Sequence, residues 1–140
     1  MGDARQVCPP ERRLIAILDD EPDVRLALSR LLQAHGYEVA QFADGHLLLA
    51  AMASRTFECV VLDLNMPAMS GFEVLAELRT MPRRPPVILL TGHEDPSYAW
   101  RALALDAFAF HRKPVRAPEL LTAIERACHF RPIGAMPSAP

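Results

Sequence analysis

Lysine and asparagine are almost missing from this chain of 140 residues: of its 15 basic residues all but Lys113 are Arg, and Asn65 is the single Asn. The three cysteines, Cys8, Cys59 and Cys128, are an odd number without CxxC spacing, which argues against a disulfide framework or a zinc site. Cys59 opens an apolar run and reads as a small core residue. No apolar stretch approaches the roughly 20 residues that a bilayer crossing needs, so no membrane span is expected. The opening residues, MGDARQVCPPERR, lack the apolar region of a secretory signal, and the expected location is cytoplasmic. Like charges form no block and the net charge is −2, which leaves no footprint for direct binding to a nucleic-acid backbone.

What is present is ample apolar material. A hydrophobic fraction of 51% supplies one core and excludes intrinsic disorder. The length suits one domain with short tails, divided here as a domain at 14–130 with tails at 1–13 and 131–140. The last of these contains Pro and Ala and is expected to be loose.

Short apolar runs alternate with longer segments of helical period, the pattern of a parallel sheet covered on both faces. Strands are expected at Leu14–Leu18, Glu38–Phe42, Cys59–Leu62, Val87–Leu90 and Ala107–His111. EVAQF, the second, alternates most and suits a sheet edge. Between them, Val24, Leu28, Leu31 and Leu32 form the apolar stripe of a first helix, and Gly36 stops it. Further helices are expected at Asp44–Ser54 and Gly71–Thr80. Pro22, Pro96 and Pro118 each fit a first helical turn, and Asp95 suits an N-cap. Five strands and five helices in strict alternation predict an α/β, doubly wound (βα)5 flavodoxin-like fold, with a five-stranded parallel sheet in the order 2-1-3-4-5.

In that order the topological switch point lies between strands 1 and 3, and ligands of such sheets sit beyond the strand carboxyl ends there. Strand 1 ends in Asp19-Asp20-Glu21 and strand 3 in Asp63. Acids at strand ends are often only turn or cap residues, yet here two acidic ends converge on one crevice. Carboxylates this close repel one another unless a cation sits among them. Hard oxygen ligands without His or Cys favour Mg²⁺, with Mn²⁺ as a substitute. Thr91, at the end of strand 4, places a hydroxyl on the same rim. Lys113, at the end of strand 5, adds an ammonium suited to an incoming phosphate rather than a surface charge.

Four segments, LDDE (Leu18–Glu21), VLDLNMP (Val61–Pro67) followed by SGFE, ILLTG (Ile88–Gly92) and HRKP (His111–Pro114), resemble in order and spacing the signature blocks of response-regulator receiver domains of two-component systems, the CheY-like superfamily. The resemblance runs from about Leu14 to Cys128. It implies that Asp63 is the phosphoacceptor, that Asp20 and Asp63 are direct carboxylate ligands of Mg²⁺, and that Asp19 acts through metal-bound water. Asn65 would lend its backbone carbonyl to the metal, Thr91 would hydrogen-bond the phosphoryl group and Lys113 would pair with it. The Lys113–Pro114 bond is usually cis in this family. Asn65 and His93 occupy positions that tune dephosphorylation. Thr91 and Phe110 would form the switch that carries phosphorylation to the face of helix 4, strand 5 and helix 5, with His111 and Arg112 as further surface contacts. Trp100, on helix 4, is read as core by its helical period.

The implied partners are a sensor histidine kinase or phosphotransfer protein, and a second copy of the chain through the helix 4–strand 5–helix 5 face. The implied role is a phosphoacceptor signalling domain that catalyses only its own phosphorylation and dephosphorylation, not an enzyme in the ordinary sense. It is either a stand-alone regulator or a receiver excised from a longer transcription factor. Receivers commonly carry Gly-Ala before strand 5, whereas this chain has Asp106-Ala107; Asp tolerates φ > 0 less well than Gly, which puts the geometry around helix 4 in question. Three rivals stand beside this reading: a haloacid-dehalogenase-like phosphatase, a pseudo-receiver that never takes phosphate, and a flavodoxin. The first needs an Asp-x-Asp after strand 1, and the last a phosphate-binding loop there; the chain has neither.

Overall fold

The computed structural model describes residues 13–129; both expected tails, apart from Arg13, and Cys8 lie outside the described residues. The chain alternates β1 (Leu14–Leu18), α1 (Pro22–Ala34), β2 (Glu38–Phe42), α2 (Gly45–Ala51), β3 (Cys59–Asp63), α3 (Gly71–Arg79), β4 (Val87–Thr91), α4 (Pro96–Ala104), β5 (Ala109–Arg112) and α5 (Ala117–His129). All strand pairs are parallel, and the sheet order is β2-β1-β3-β4-β5. The expected doubly wound topology is therefore the one the chain adopts.

The sheet is a wall between two apolar layers. Ala16, Leu18, Val60, Leu62 and Leu89 face one side, where Leu48, Phe72, Leu75, Leu78 and Ala102 from α2, α3 and α4 cover them. Ile15, Ile17, Cys59, Val61, Ile88 and Leu90 face the other, against Leu32, Leu120, Ile124 and Cys128 of α1 and α5. Because both faces are buried, the pleat leaves no polar alternation in the sequence of β1, β3 and β4. Each fully buried Leu or Ile contributes about 2 kcal/mol.

Helix ends follow from local chemistry. Pro22 and Pro96 open α1 and α4, and Pro118 falls in the first turn of α5. The Asp95 carboxylate accepts the Ser97 N–H at 2.9 Å, and Asp44 accepts that of His46 at 2.6 Å. Ser70 and Glu73 cap α3 reciprocally, a Ser-x-x-Glu signature that the sequence reading passed over. At the end of α1, Gly36 has φ 92°. There Tyr37 N–H bonds Leu32 O at 3.1 Å and Gly36 N–H bonds Gln33 O at 3.1 Å, which closes a Schellman motif.

Asp106 does for α4 what Gly36 does for α1. Its φ is 63°, and Ala107 N–H bonds Ala102 O at 3.0 Å while Asp106 N–H bonds Leu103 O at 3.0 Å. The turn does require φ > 0. Its geometry is intact with Asp in place, and the Asp106 carboxylate is met by Arg79 at 3.3 Å and Arg84 at 3.9 Å.

Several boundaries differ from expectation. β3 and β4 each run one residue further, to Asp63 and Thr91, because both residues still pair across the ladder. β5 begins at Ala109 rather than Ala107, since the Ala107 N–H is spent closing α4. α2 ends at Ala51, not Ser54, because Ala53 and Ser54 bond back only three residues, to Ala50 O and Ala51 O. Trp100 is corrected outright: it is 73% exposed. Ala102 is buried in α4, with Tyr98 and Leu105 packed beside it, and Trp100 lies about 200° around the helix from both Tyr98 and Ala102, outward with Leu103.

Candidate functional site

The parallel register delivers Asp19 and Asp20 just past β1, Asp63 and Thr91 as the last residues of β3 and β4, and Lys113 just past β5. Asp19, Asp63 and Thr91 are buried, 1%, 4% and 0% exposed respectively. One carboxylate oxygen from each of Asp19, Asp20 and Asp63 lies within 4.8 Å of the others. Lys113 Nζ reaches into this cluster, 3.1 Å from Asp19 Oδ2 and 3.0 Å from Asp63 Oδ1. The Lys113–Pro114 bond is cis.

Asp19 is held on every side. Its Oδ1 accepts the Glu21 N–H at 2.9 Å, its Oδ2 accepts from Lys113, and its carbonyl accepts from Arg25 Nη1 at 2.6 Å. The Arg25 carbonyl accepts in turn from the buried Ser29 hydroxyl at 2.8 Å. Both Asp19 carboxylate oxygens are thus engaged, whereas Asp20 has no side-chain hydrogen bond or ion pair among the described residues. Oxygen-only donors at this spacing fit a hard divalent cation, with Asp20 and Asp63 offering the free lone pairs.

Burial pushes the Asp63 carboxyl above its ordinary range, against the pull of the Lys113 hydrogen bond and with the Asp19 charge adding to the rise. For Lys113, burial works to lower the pKa, but the hydrogen bonds and charges of Asp63 and Asp19 outweigh it and the net shift is upward. The amine is a fixed cation and Asp63 a carboxylate held at a cost.

Thr91 donates its hydroxyl proton to Asn65 Oδ1 at 2.7 Å and accepts the His93 N–H at 3.1 Å. The structure therefore engages the Asn65 side chain, expected only at a position that tunes dephosphorylation, as the acceptor of the Thr91 hydroxyl. His93 itself is exposed, joined to the site through its backbone. Phe110 is half-buried opposite Leu89 and packs on the α2–α4 side of the sheet. His111 is half-buried and Arg112 exposed, the latter paired with Glu94 at 2.9 Å.

Two residues that sequence reasoning did not single out shape the site. Arg25 anchors the Asp19 backbone; its only signal was a basic residue one turn into α1. Gly71 allows α3 to sit against Asp63: a Cβ there would fall 2.7 Å from Leu64 Cα and 2.8 Å from the Asp63 carbonyl oxygen. The Gly71 N–H also bonds Leu64 O at 2.9 Å. Its place in the SGFE segment was visible, but not what it touches.

A response regulator receiver domain family model matches residues 15–125. Among curated proteins, response regulator protein TodT of Pseudomonas putida is 36% identical over 119 residues, covering 85% of this chain and 52% of the relative. Transcriptional regulatory protein FixJ of Bradyrhizobium diazoefficiens is 34% identical over 113 residues, 81% of this chain and 55% of that protein. The chain thus spans about half the length of these curated relatives. Among solved structures, chemotaxis protein CheY4 of Vibrio cholerae is 31% identical with a TM-score of 0.77, covering 82% of this chain and 98% of that one. A receiver domain protein from Clostridium thermocellum is 32% identical with a TM-score of 0.77, over 84% and 95%. With the fold, the acidic cluster and these likenesses in agreement, the chain belongs to the response regulator receiver domain family of two-component signalling proteins.

Proposed function

We propose that this domain accepts a phosphoryl group on Asp63 from a phosphohistidine of a partner kinase or phosphotransfer protein, in a Mg²⁺-dependent reaction. The observation that carries the reading is the Lys113 ammonium set between Asp19 and Asp63, 3.1 and 3.0 Å away, at the mouth of a buried acidic cluster. Asp20 and Asp63 would hold the metal through carboxylate oxygens, Asn65 through its backbone carbonyl, and Asp19 through water. Bound there, the cation neutralises the crowded carboxylates and the oxygens of the transferring group.

A carboxylate oxygen of Asp63 attacks phosphorus in line as the bond to the donor nitrogen breaks, which leaves an acyl phosphate. Lys113 follows the charge onto the phosphoryl oxygens, and the Thr91 hydroxyl donates to one of them. Hydrolysis returns Asp63 to a carboxylate, at a rate set by the side chains of Asn65 and His93. The group adds about −1.5 to −2 charges to an acidic pocket, and Thr91 with Phe110 passes the change to the face of α4, β5 and α5. That face is the output and self-association surface, and its exposed Trp100 and Leu103 suit such contacts. The domain works in the cytoplasm, where its donor resides, within a regulator whose output lies in a further segment or a separate target.

Incubation with acetyl phosphate and Mg²⁺, read by intact mass, should give a one-phosphate adduct in the parent and none in Asp63→Asn. An equal adduct in the variant overturns the assignment.

A further inference from the structure

The Thr91 hydroxyl has one proton and two lone pairs. The proton goes to Asn65 Oδ1 at 2.7 Å, and a lone pair takes the His93 N–H at 3.1 Å. Thr91 is 0% exposed, so no bulk water can stand in for a partner that it gives up. The same hydroxyl is the one that must donate to a phosphoryl oxygen on Asp63, and it has no second proton to offer. Asn65 is half-buried, so its amide oxygen regains a water when Thr91 leaves.

We infer that the Asn65 side chain is a positioning residue, a latch that holds the Thr91 hydroxyl away from the phosphoryl position and sets the cost of the phosphorylated state. This rests on Asp63 as the acceptor, and concerns the Asn65 side chain rather than its backbone carbonyl. The exchange runs forward because a hydrogen bond to an anionic oxygen is roughly twice as strong as one to a neutral amide. It runs forward less far than it would with Asn65 absent. Thr91 also accepts from the β4–α4 loop through His93, so its turn away from Asn65 alters a contact of that loop in the same movement.

The test is a double-mutant cycle on the full chain with beryllofluoride in Mg²⁺ buffer, its dissociation constant measured by calorimetry. Asn65→Ala should tighten beryllofluoride binding about three- to tenfold, the factor that one net hydrogen bond represents. In a Thr91→Val background, or Thr91→Ala should the first variant misfold, the same change should have no effect. Equal tightening in both backgrounds, or none in the first, overturns the latch.

A second measurement needs neither metal nor phosphate analogue. In metal-free protein, side-chain couplings of Thr91 by NMR should show one rotamer in the parent and averaging in Asn65→Ala. A Thr91 rotamer indifferent to Asn65 refutes the latch whatever beryllofluoride does. Failure of the parent to bind beryllofluoride at all, with the rotamer responding, would instead refute Asp63 as acceptor and leave the Asn65–Thr91 contact established.

Discussion

The Lys113 ammonium stands 3.0 Å from Asp63 Oδ1, in the same pocket where the carboxylates of Asp19, Asp20 and Asp63 converge. The amine therefore serves the pocket twice: it offsets carboxylate repulsion before any ligand arrives, and it is in place to meet a phosphoryl oxygen. Those duties pull Lys113→Met in opposite directions. Mg²⁺ affinity should rise, because a competing cation is gone, while the rate of labelling by acetyl phosphate should fall about a hundredfold, the loss expected of one charged stabiliser. Calorimetric Mg²⁺ titration beside timed intact-mass measurement checks both. A fall in both would mean that Lys113 holds the pocket's shape and little else.

Asp63 should also leave a mark on stability. A carboxyl whose pKa rises on folding binds its proton more tightly in the fold, so ionisation costs stability. That cost is absent below the unfolded value, about 3.9 for Asp, and complete once the pH has passed the folded value. In metal-free buffer at pH 7, Asp63→Asn should therefore melt higher than the parent, an advantage that shrinks as the solution is acidified through the folded pKa towards the unfolded one. Mg²⁺ at about 100 times its dissociation constant should then stabilise the parent by about 2.7 kcal/mol and the variant by much less. Thermal melts at several pH values, with and without Mg²⁺, decide the matter.

Gly71→Ala asks for a methyl group where the Leu64 backbone is 2.7 Å away. Backbone of a central strand end cannot yield cheaply, so the variant should lose about 1–3 kcal/mol. Because the displaced atoms belong to Asp63 and its neighbour, phosphorylation at a temperature where the variant is fully folded should slow as well. Denaturant melts and adduct formation would check the pair; normal labelling in a destabilised variant would confine Gly71 to packing.

At Asp106, two effects of similar size oppose each other. A non-glycine residue at φ 63° carries strain of about 1 kcal/mol, and two half-exposed arginine pairs return about 0–1 kcal/mol each. Asp106→Gly should thus be near neutral at low salt and more stable than the parent in 1 M NaCl, where the pairs are screened. Asp106→Ala keeps the strain without the pairs and should be the least stable of the three in low-salt melts.

The sheet order and the identity of the pocket residues were legible because both depend on one-dimensional patterns: continuous apolar runs of strand length, each followed by a polar group. Asp63 and Thr91 were expected just beyond their strands and lie inside them. The ladder, not the apolar run, decides where a strand stops, and pairing partners are invisible in a single segment. Trp100 was placed inward because a large aromatic at helical spacing usually is. Its helix, however, buries little beyond Ala102 and the flanks of Tyr98 and Leu105, so the α4 stripe is narrow. The Asn65–Thr91 contact joins residues 26 positions apart and depends on side-chain direction, which no pattern encodes. Arg25 and Gly71 escaped for the same reason: their work is on backbone atoms of other elements.

The sheet that separates the two apolar layers has a further meaning for the molecule's tolerance of change. Leu48 and Ile124 belong to different layers, with a continuous ladder of hydrogen bonds between them. Truncations on opposite sides share no lining and should sum, whereas two on the same side should interfere. Each chamber can be refilled with new side-chain shapes without consulting the other, so a fit altered on the α2–α4 side need not be answered on the α1–α5 side.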